Sequence, residues 1–210
     1  QVERYTPQTY IMDTLQLLDA LAVDTFSIVG TSMGGLMAMG ISALAPSRLN
    51  RVVLNDIGPV IAAQGLERIK SSVGSKMQFP DWATAAEHLA QVNSTAFPHY
   101  RSEDWLRFAA RACSQHSSEV TLDYDPNITA ALSSATSGLR PEDLWALFDT
   151  LISTPALLIR GALSDLLDSS CAEDMQRRHG AMEFLEVPGV GHAPMSVSYT
   201  HLTLPTIVDV

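Results

Sequence analysis

The feature that most constrains the fold is a serine placed between two apolar segments. Residues 30–34 read GTSMG, which has the spacing G-x-S-x-G. A short segment over residues 25–30, TFSIVG, predicts a buried strand before the serine, and the pattern over 34–45 predicts a helix after it. A serine between a strand and a helix lies on a sharp turn, and its hydroxyl projects above the sheet. The spacing and its flanks therefore predict Ser32 as a nucleophile.

The residues around Ser32 fit the same interpretation. We expect the turn to require glycine at positions 30 and 34, because a Cβ on Gly30 or Gly34 would collide within it. The helix that follows directs its positive end at the serine, and we expect the Met33 N–H to donate to a developing oxyanion. The alternative at this point is a glycine-rich strand-to-helix turn with an incidental serine.

A serine hydroxyl needs a base to take its proton. Of the six histidines, His192 is the best candidate because it follows the predicted strand over 182–189 within the loop EVPGVGHAP. Loops that follow parallel strands share one edge of the sheet, which would bring His192 to Ser32 across 160 positions.

The base needs a carboxylate that fixes its tautomer and stabilises the imidazolium. Asp165 follows the predicted strand over 156–161, again at the carboxyl edge. Asp56, at the end of the predicted strand over 51–58, is the alternative acid. We prefer Asp165, although an isolated aspartate is also commonly a helix cap or a surface carboxylate.

Strands that alternate with helices predict a parallel sheet covered on both faces. Residues from about 60 to 152 break this alternation, because they hold helical patterns and no convincing strand. We interpret this region as an insertion over one end of the sheet. Its aromatic side chains could line an apolar pocket, although helical spacing is more typical of a core: Trp82, Phe97, Tyr100, Trp105 and Phe108.

Composition excludes several classes of partner. The formal net charge is −10 and the chain has no block of lysine or arginine, so nucleic acid and anionic membrane surfaces are poor partners. No apolar run approaches the length of a membrane helix. We expect no metal, because no metal-like spacing accompanies the two cysteines, and we expect a cytoplasmic protein.

The order Ser32, Asp165, His192, together with GTSMG, LNDIGP, LLIRGALSDLL and VPGVGHAP, resembles the α/β-hydrolase superfamily. The resemblance implies an α/β fold with a partial doubly wound parallel sheet and a helical cap. It divides the chain into a core of residues 1–59 and 141–196 and a cap of 60–140. It also implies a Ser-His-Asp hydrolase that acts through an acyl-enzyme on a small molecule, most simply an apolar ester, with no metal or organic cofactor.

The sequence departs from the pattern of this family at both ends. Nothing before Thr6 resembles the family's front strands or its His-Gly loop, which supplies a second oxyanion N–H, so we expect an N-terminal truncation. We therefore expect the fragment to be inactive and its first strand to be unpaired. Residues 197–206 resemble a translated sequencing adapter, so we interpret 197–210 as an artefactual tail in which His201 is no site. A genuine β-type tail is the alternative.

The function of the intact protein stays open between several classes. A carboxylic ester hydrolase is the leading hypothesis, and a carbon–carbon bond hydrolase of ring-cleavage diketones would use the same triad and cap. Haloperoxidase-like activity and acyl transfer are further alternatives. A non-catalytic binding domain and an inert gene fragment are the alternatives outside enzymology.

Overall fold

The structure is a computed structural model, and it describes residues 4–72, 77–116, 118–125, 127–128 and 140–194. The predicted tail over residues 197–210, with His201, lies outside these ranges. The elements in chain order are α1 (Pro7–Ala20), β1 (Phe26–Thr31), α2 (Met33–Leu44), a 3₁₀ turn (Pro46–Arg48), β2 (Leu49–Asn55), α3 (Ala63–Ser72), β3 (Gln78–Phe79), α4 (Trp82–Asn93), α5 (Ser102–Ala112), β4 (Cys113–His116), β5 (Glu119–Leu122), α6 (Pro141–Asp149), β6 (Ala156–Gly161), α7 (Ser169–His179) and β7 (Glu183–Val187).

The central sheet has four parallel strands in the order β1-β2-β6-β7. Strand β6 is buried along its whole length, as its apolar sequence ALLIRG leads one to expect for a strand covered on both faces. The predicted parallel sheet is confirmed. Because all four strands run in the same direction, their carboxyl ends meet at one edge of the sheet.

Helix α1 begins where its sequence predicts. Thr6 caps it, since its side-chain oxygen accepts a hydrogen bond of 3.1 Å from the Thr9 N–H, and Pro7 occupies the first turn. Within α1, Ile11 is the buried side chain. The helix packs on α2, which in turn packs on β1 and β2.

The core lies between the sheet and the helices α2, α6 and α7. Its fully buried members come from every one of these elements: Met39, Leu54, Phe148, Leu158 and Met175. Burial of apolar side chains on this scale is the main stabilising contribution to such a fold.

The insertion has a hydrophobic cluster of its own, centred on the facing helices α4 and α5. The prediction that residues 60–152 contain no strand is wrong, because β3, β5 and β4 form a small antiparallel sheet in that order. These strands have two to four residues, too few to establish an alternating pattern. Four of the insertion's aromatic side chains contact one another in this cluster, as their helical spacing favours: Phe97, Tyr100, Trp105 and Phe108.

Strand β1 forms one side of the sheet. Among the described residues its partner is β2, so its other backbone edge is unpaired, as predicted. No helix in the described ranges is long and apolar enough to cross a membrane.

Candidate active site

The turn at Ser32 has the strained backbone that its sequence pattern predicts. Ser32 has φ 52° and ψ −120°, a conformation that is costly for a residue with a side chain. Its N–H donates to the Asn55 carbonyl at 3.1 Å, and its carbonyl accepts from the Gly35 N–H at 2.9 Å. These bonds fix the turn between β1 and α2 and hold Ser32 where the helix begins.

Gly30 is required by close contact, whereas Gly34 is not. A Cβ at position 30 would lie 2.5 Å from the carbonyl oxygen of Gly34, a backbone atom that cannot move aside. A Cβ at position 34 would meet nothing within 4 Å, so the prediction of a collision there is wrong. The second crowded glycine is Gly35, where a Cβ would overlap Ile57 Cγ2.

The sheet register brings three loops to the same edge. Thr31 pairs with Asn55, and Asn55 pairs with Ile159 on the other side. Ser32 and Asp56 therefore leave neighbouring strands at the same level.

His192 and Asp56 form the central contact of the site. His192 Nδ1 lies 2.7 Å from Asp56 Oδ2. The Asp56 side chain is 0% exposed, and the His192 side chain is 9% exposed. A histidine whose Nδ1–H donates to a buried carboxylate presents Nε2 as the acceptor, which is the tautomer that a general base needs.

Further donors hold the Asp56 carboxylate in place. Oδ1 accepts from the Gly161 N–H at 2.9 Å, and Oδ2 accepts from Ser164 Oγ at 2.7 Å. Ser164 Oγ itself accepts from the N–H groups of Leu166 and Leu167, so its own hydrogen is directed to Asp56. Ser164 was not among the residues predicted for the site. The signal was present, since a serine in a loop commonly accepts from backbone N–H groups two or three positions on.

The structure does not bring Asp165 to His192 as its hydrogen-bond partner. Arg68 of α3 binds Asp165 in a bidentate pair, with Nε–Oδ2 2.5 Å and Nη2–Oδ1 2.8 Å. The hydrogen bonds from Arg68 hold the pKa of Asp165 below its usual range, and those bonds raise the pKa of Arg68. The preference for Asp165 over Asp56 is therefore corrected, because Asp56 directly follows a central strand whereas Asp165 lies four residues beyond one and pairs with the insertion.

Ser32 and His192 are not hydrogen-bonded to each other. Among the described residues the side chain of Ser32 makes no hydrogen bond. Triad chemistry requires a contact between Ser32 Oγ and His192 Nε2, so the predicted nucleophile–base contact is not formed in this structure.

Two further contacts anchor the His192 loop. Buried Asn55 donates through Nδ2 to Thr31 Oγ1 at 3.0 Å and to the Pro194 carbonyl at 2.8 Å, which links the nucleophile strand to the loop. The Gly191 N–H donates to the Thr95 carbonyl at 3.0 Å, which links the loop to the insertion.

An apolar cavity of about 290 Å³ opens beside Ser32. Met33, the first residue of α2, also lines this cavity. Its N–H precedes the first intrahelical bond, as the first N–H groups of every helix do, and is free to face a ligand. No cluster of three or more potential metal-ligating side chains occurs in the part of the chain that is described.

Comparisons with known proteins identify similar chains. The sequence profile described as "Alpha/beta hydrolase family" matches residues 3–199. A 3-hydroxybutyrate-oligomer hydrolase from Cupriavidus necator is 31% identical over 95% of this chain and 70% of its own length. A 2-(acetamidomethylene)succinate hydrolase from Mesorhizobium japonicum is 26% identical over 98% of this chain and 70% of its own. A crystal structure of an alpha/beta hydrolase from Novosphingobium aromaticivorans is 35% identical, with a TM-score of 0.84 over 96% of this chain and 70% of that one.

Proposed function

The chain belongs to the alpha/beta hydrolase family, and we propose that it is a carboxylic ester hydrolase that uses Ser32, His192 and Asp56 as its catalytic triad. Ser32 attacks the ester carbonyl while His192 Nε2 accepts the hydroxyl proton. Asp56 holds the imidazole and stabilises its charged form. His192 then donates the proton to the leaving alcohol, and water releases the acid from the acyl-enzyme in a second, equivalent cycle.

The observation that carries this proposal is the 2.7 Å contact between His192 Nδ1 and the fully buried Asp56 carboxylate, at the sheet edge where Ser32 occupies a strained turn. General base action contributes about 10²–10⁴-fold to such a reaction. We assign the Met33 N–H to the oxyanion, and one such donor is worth about 10²–10³-fold in kcat.

Two features support an ester as the substrate. The curated relative with 31% identity is named for hydrolysis of 3-hydroxybutyrate oligomers, which are esters. The cavity beside Ser32 is lined almost wholly by apolar side chains, which suits an apolar ester. We therefore propose a small-molecule ester whose acyl group occupies this cavity.

A fluorophosphonate probe tests the mechanism. We expect labelling of the intact protein at Ser32, its abolition in Ser32→Ala and a steep fall in His192→Ala. Asp56→Asn should lower the rate of labelling by about 10³–10⁴-fold because His192 would then favour the wrong tautomer. Asp165→Asn is the matched control and should stay within about tenfold of the wild-type rate, since its partner is Arg68.

The labelling results distinguish Asp56 from Asp165 as the catalytic acid and test the serine mechanism. Loss of labelling in Asp165→Asn with retention in Asp56→Asn would return the acid role to Asp165. Absence of labelling in a folded protein, judged by circular dichroism, would overturn the serine hydrolase mechanism.

A further inference from the structure

The lining of the cavity beside Ser32 follows one helix. Ser32, Leu36 and Gly40 all line it, and they lie four residues apart, so they share one face of α2. With a rise of 1.5 Å per residue, the lining extends about 12 Å along α2 from the nucleophile. The cavity is therefore long enough to hold a chain rather than a compact group.

The chemistry of the walls is uniform. The walls come from α1, α3 and α6 and from two loops, and they are built of aliphatic side chains: Ile11, Ile57, Leu66, Ile69, Leu144 and Leu147. Of the side chains that line the cavity within the described residues, Ser32 and Gln8 carry polar groups, and none is charged. Burial of a carboxylate or a hydroxyl along these walls would be costly without partners.

Gly40 lies farthest from Ser32 along the α2 face that lines the cavity, and there it meets Ile11 of α1. A Cβ at position 40 would overlap Ile11 Cδ1, so the α1–α2 contact closes at this point. Ile11 is the buried side chain of α1, and its terminal methyl is the atom that meets Gly40. A change of one methyl group at either residue would alter the depth of the cavity.

We propose that this cavity is an acyl-chain site that measures the length of an unbranched, saturated acyl group, with Gly40 and Ile11 as its end. The inference rests on the proposed function, because it places the acyl carbon at Ser32. An extended chain advances roughly 1.25 Å per carbon, from bonds of about 1.5 Å at tetrahedral angles, so 12 Å corresponds to about nine or ten carbons.

This substrate class differs from those named for the two curated relatives. A 3-hydroxybutyrate oligomer carries an ester oxygen in every repeat, and a succinate carries two carboxyl groups. Both would place polar groups against the aliphatic walls described above. We therefore expect a medium-chain fatty acyl ester to be hydrolysed more efficiently than either.

The experiment measures kcat/KM for p-nitrophenyl esters with straight acyl chains of two to fourteen carbons. Each methylene that enters the cavity should raise kcat/KM by up to about fourfold, from the transfer free energy of a buried methylene. We expect kcat/KM to rise to a chain of about eight to ten carbons and then to fall by at least tenfold, because longer chains exceed the 12 Å lining.

Three variants test the end of the acyl-chain site. Ile11→Ala should move the optimum about two carbons longer, and the milder Ile11→Val about one carbon. Gly40→Ala should move it about two carbons shorter, because Ile11 Cδ1 must shift into the cavity. Met12→Ala is the matched control, since Met12 is next to Ile11 on α1 but is 48% exposed, and it should leave the profile unchanged.

Hydrolysis of the acetyl ester tests the triad alone, because a two-carbon chain does not reach Gly40 and Ile11. It therefore separates the proposed function from the acyl-chain site. A flat chain-length profile, or a profile that Ile11→Val and Gly40→Ala leave unmoved, would overturn the acyl-chain site while acetyl ester hydrolysis upheld the triad. Failure to hydrolyse any ester, with no labelling of Ser32, would instead overturn the proposed function.

Discussion

Ser32 and Asp56 both have positive φ values, 52° and 57°, and each stands directly after a strand of the central sheet. Aspartate tolerates this region better than most residues because its short side chain bonds locally, whereas serine is strained in it. In both cases the chain turns away from the strand direction at the sheet edge. The sharp turns thus place a hydroxyl and a carboxylate on the side where His192 arrives.

Substitution of the two glycines beside Ser32 should have opposite effects on stability. Gly30→Ala places a Cβ against the Gly34 carbonyl, and we expect it to lower the free energy of unfolding by about 1–3 kcal/mol. Gly34→Ala meets open space within α2, and we expect it to be neutral or to stabilise by up to about 1 kcal/mol through helix propensity. Urea denaturation of both variants measures the difference. Equal losses would show that the Gly34 carbonyl does not restrict position 30.

The sequence indicated which candidate residues share the sheet edge but not which of them pair. Ser32, Met33 and His192 follow from a motif and from the strand-to-loop order, which the chain displays directly. Asp56 and Asp165 both follow strands that end at the same edge, so their order along the chain cannot separate them. What separates them is Arg68, a residue of the insertion whose approach to Asp165 depends on how α3 packs.

At the scale of elements, helix α3 is attached to the loop that follows β6. The Arg68 side chain pairs with Asp165, and the Gly65 N–H donates to the Asp165 carbonyl at 3.0 Å. A Cβ at position 65 would overlap that carbonyl, so a glycine is needed for the close approach. This attachment holds one wall of the cavity, because Leu66 and Ile69 of α3 line it.

The Arg68–Asp165 pair should make stability depend on pH. Its hydrogen bonds lower the pKa of Asp165 in the folded state, so the pair stabilises above the unfolded pKa of about 3.9 and is lost as pH falls through the lower folded value. Because both side chains are partly exposed, we expect about 1 kcal/mol at pH 7.

A double-mutant cycle with Arg68→Gln and Asp165→Asn measures this coupling by urea denaturation. The coupling should be constant from about pH 7 to pH 5 and should shrink below about pH 4, as Asp165 becomes protonated. A coupling that persisted in acid would mean that the two side chains interact mainly through packing rather than through charge.

Elements with a strong period were predictable, and short ones were not. Strand β6 was predicted with its observed bounds, because four apolar residues and an arginine precede a glycine. Strands β3, β4 and β5 were missed because each is set by its antiparallel neighbours rather than by its own sequence. Tertiary context overrides local propensity most easily in segments of this length.

At the scale of the whole molecule, the described residues form three hydrophobic clusters, and the His192 loop lies between the central sheet and the insertion. Two of the clusters involve the central sheet, and the third lies within the insertion. The Gly191 N–H donates to the Thr95 carbonyl, so the loop that carries the base is in contact with the insertion. The insertion therefore contacts the loop of the proposed base and, through Leu66 and Ile69 of α3, lines the proposed substrate cavity.

Strand β1 gives this molecule a surface for self-association. Its outer backbone edge is unpaired among the described residues, and Val29 within it is 75% exposed. An exposed apolar edge strand is a template for pairing with a second chain. We therefore expect the purified protein to self-associate in a concentration-dependent manner, as measured by size-exclusion chromatography with light scattering.

Val29→Lys should reduce that association, because a charge on an edge strand opposes pairing with a second copy. Leu44→Lys is the matched control, since Leu44 is 62% exposed at the end of α2, away from the edge. We expect the associated fraction to fall severalfold in Val29→Lys and to stay near the wild-type value in Leu44→Lys, with similar melting temperatures in both. Equal reductions would mean that general surface apolarity drives association, and a monomeric wild type at high concentration would mean that the β1 edge is protected in solution.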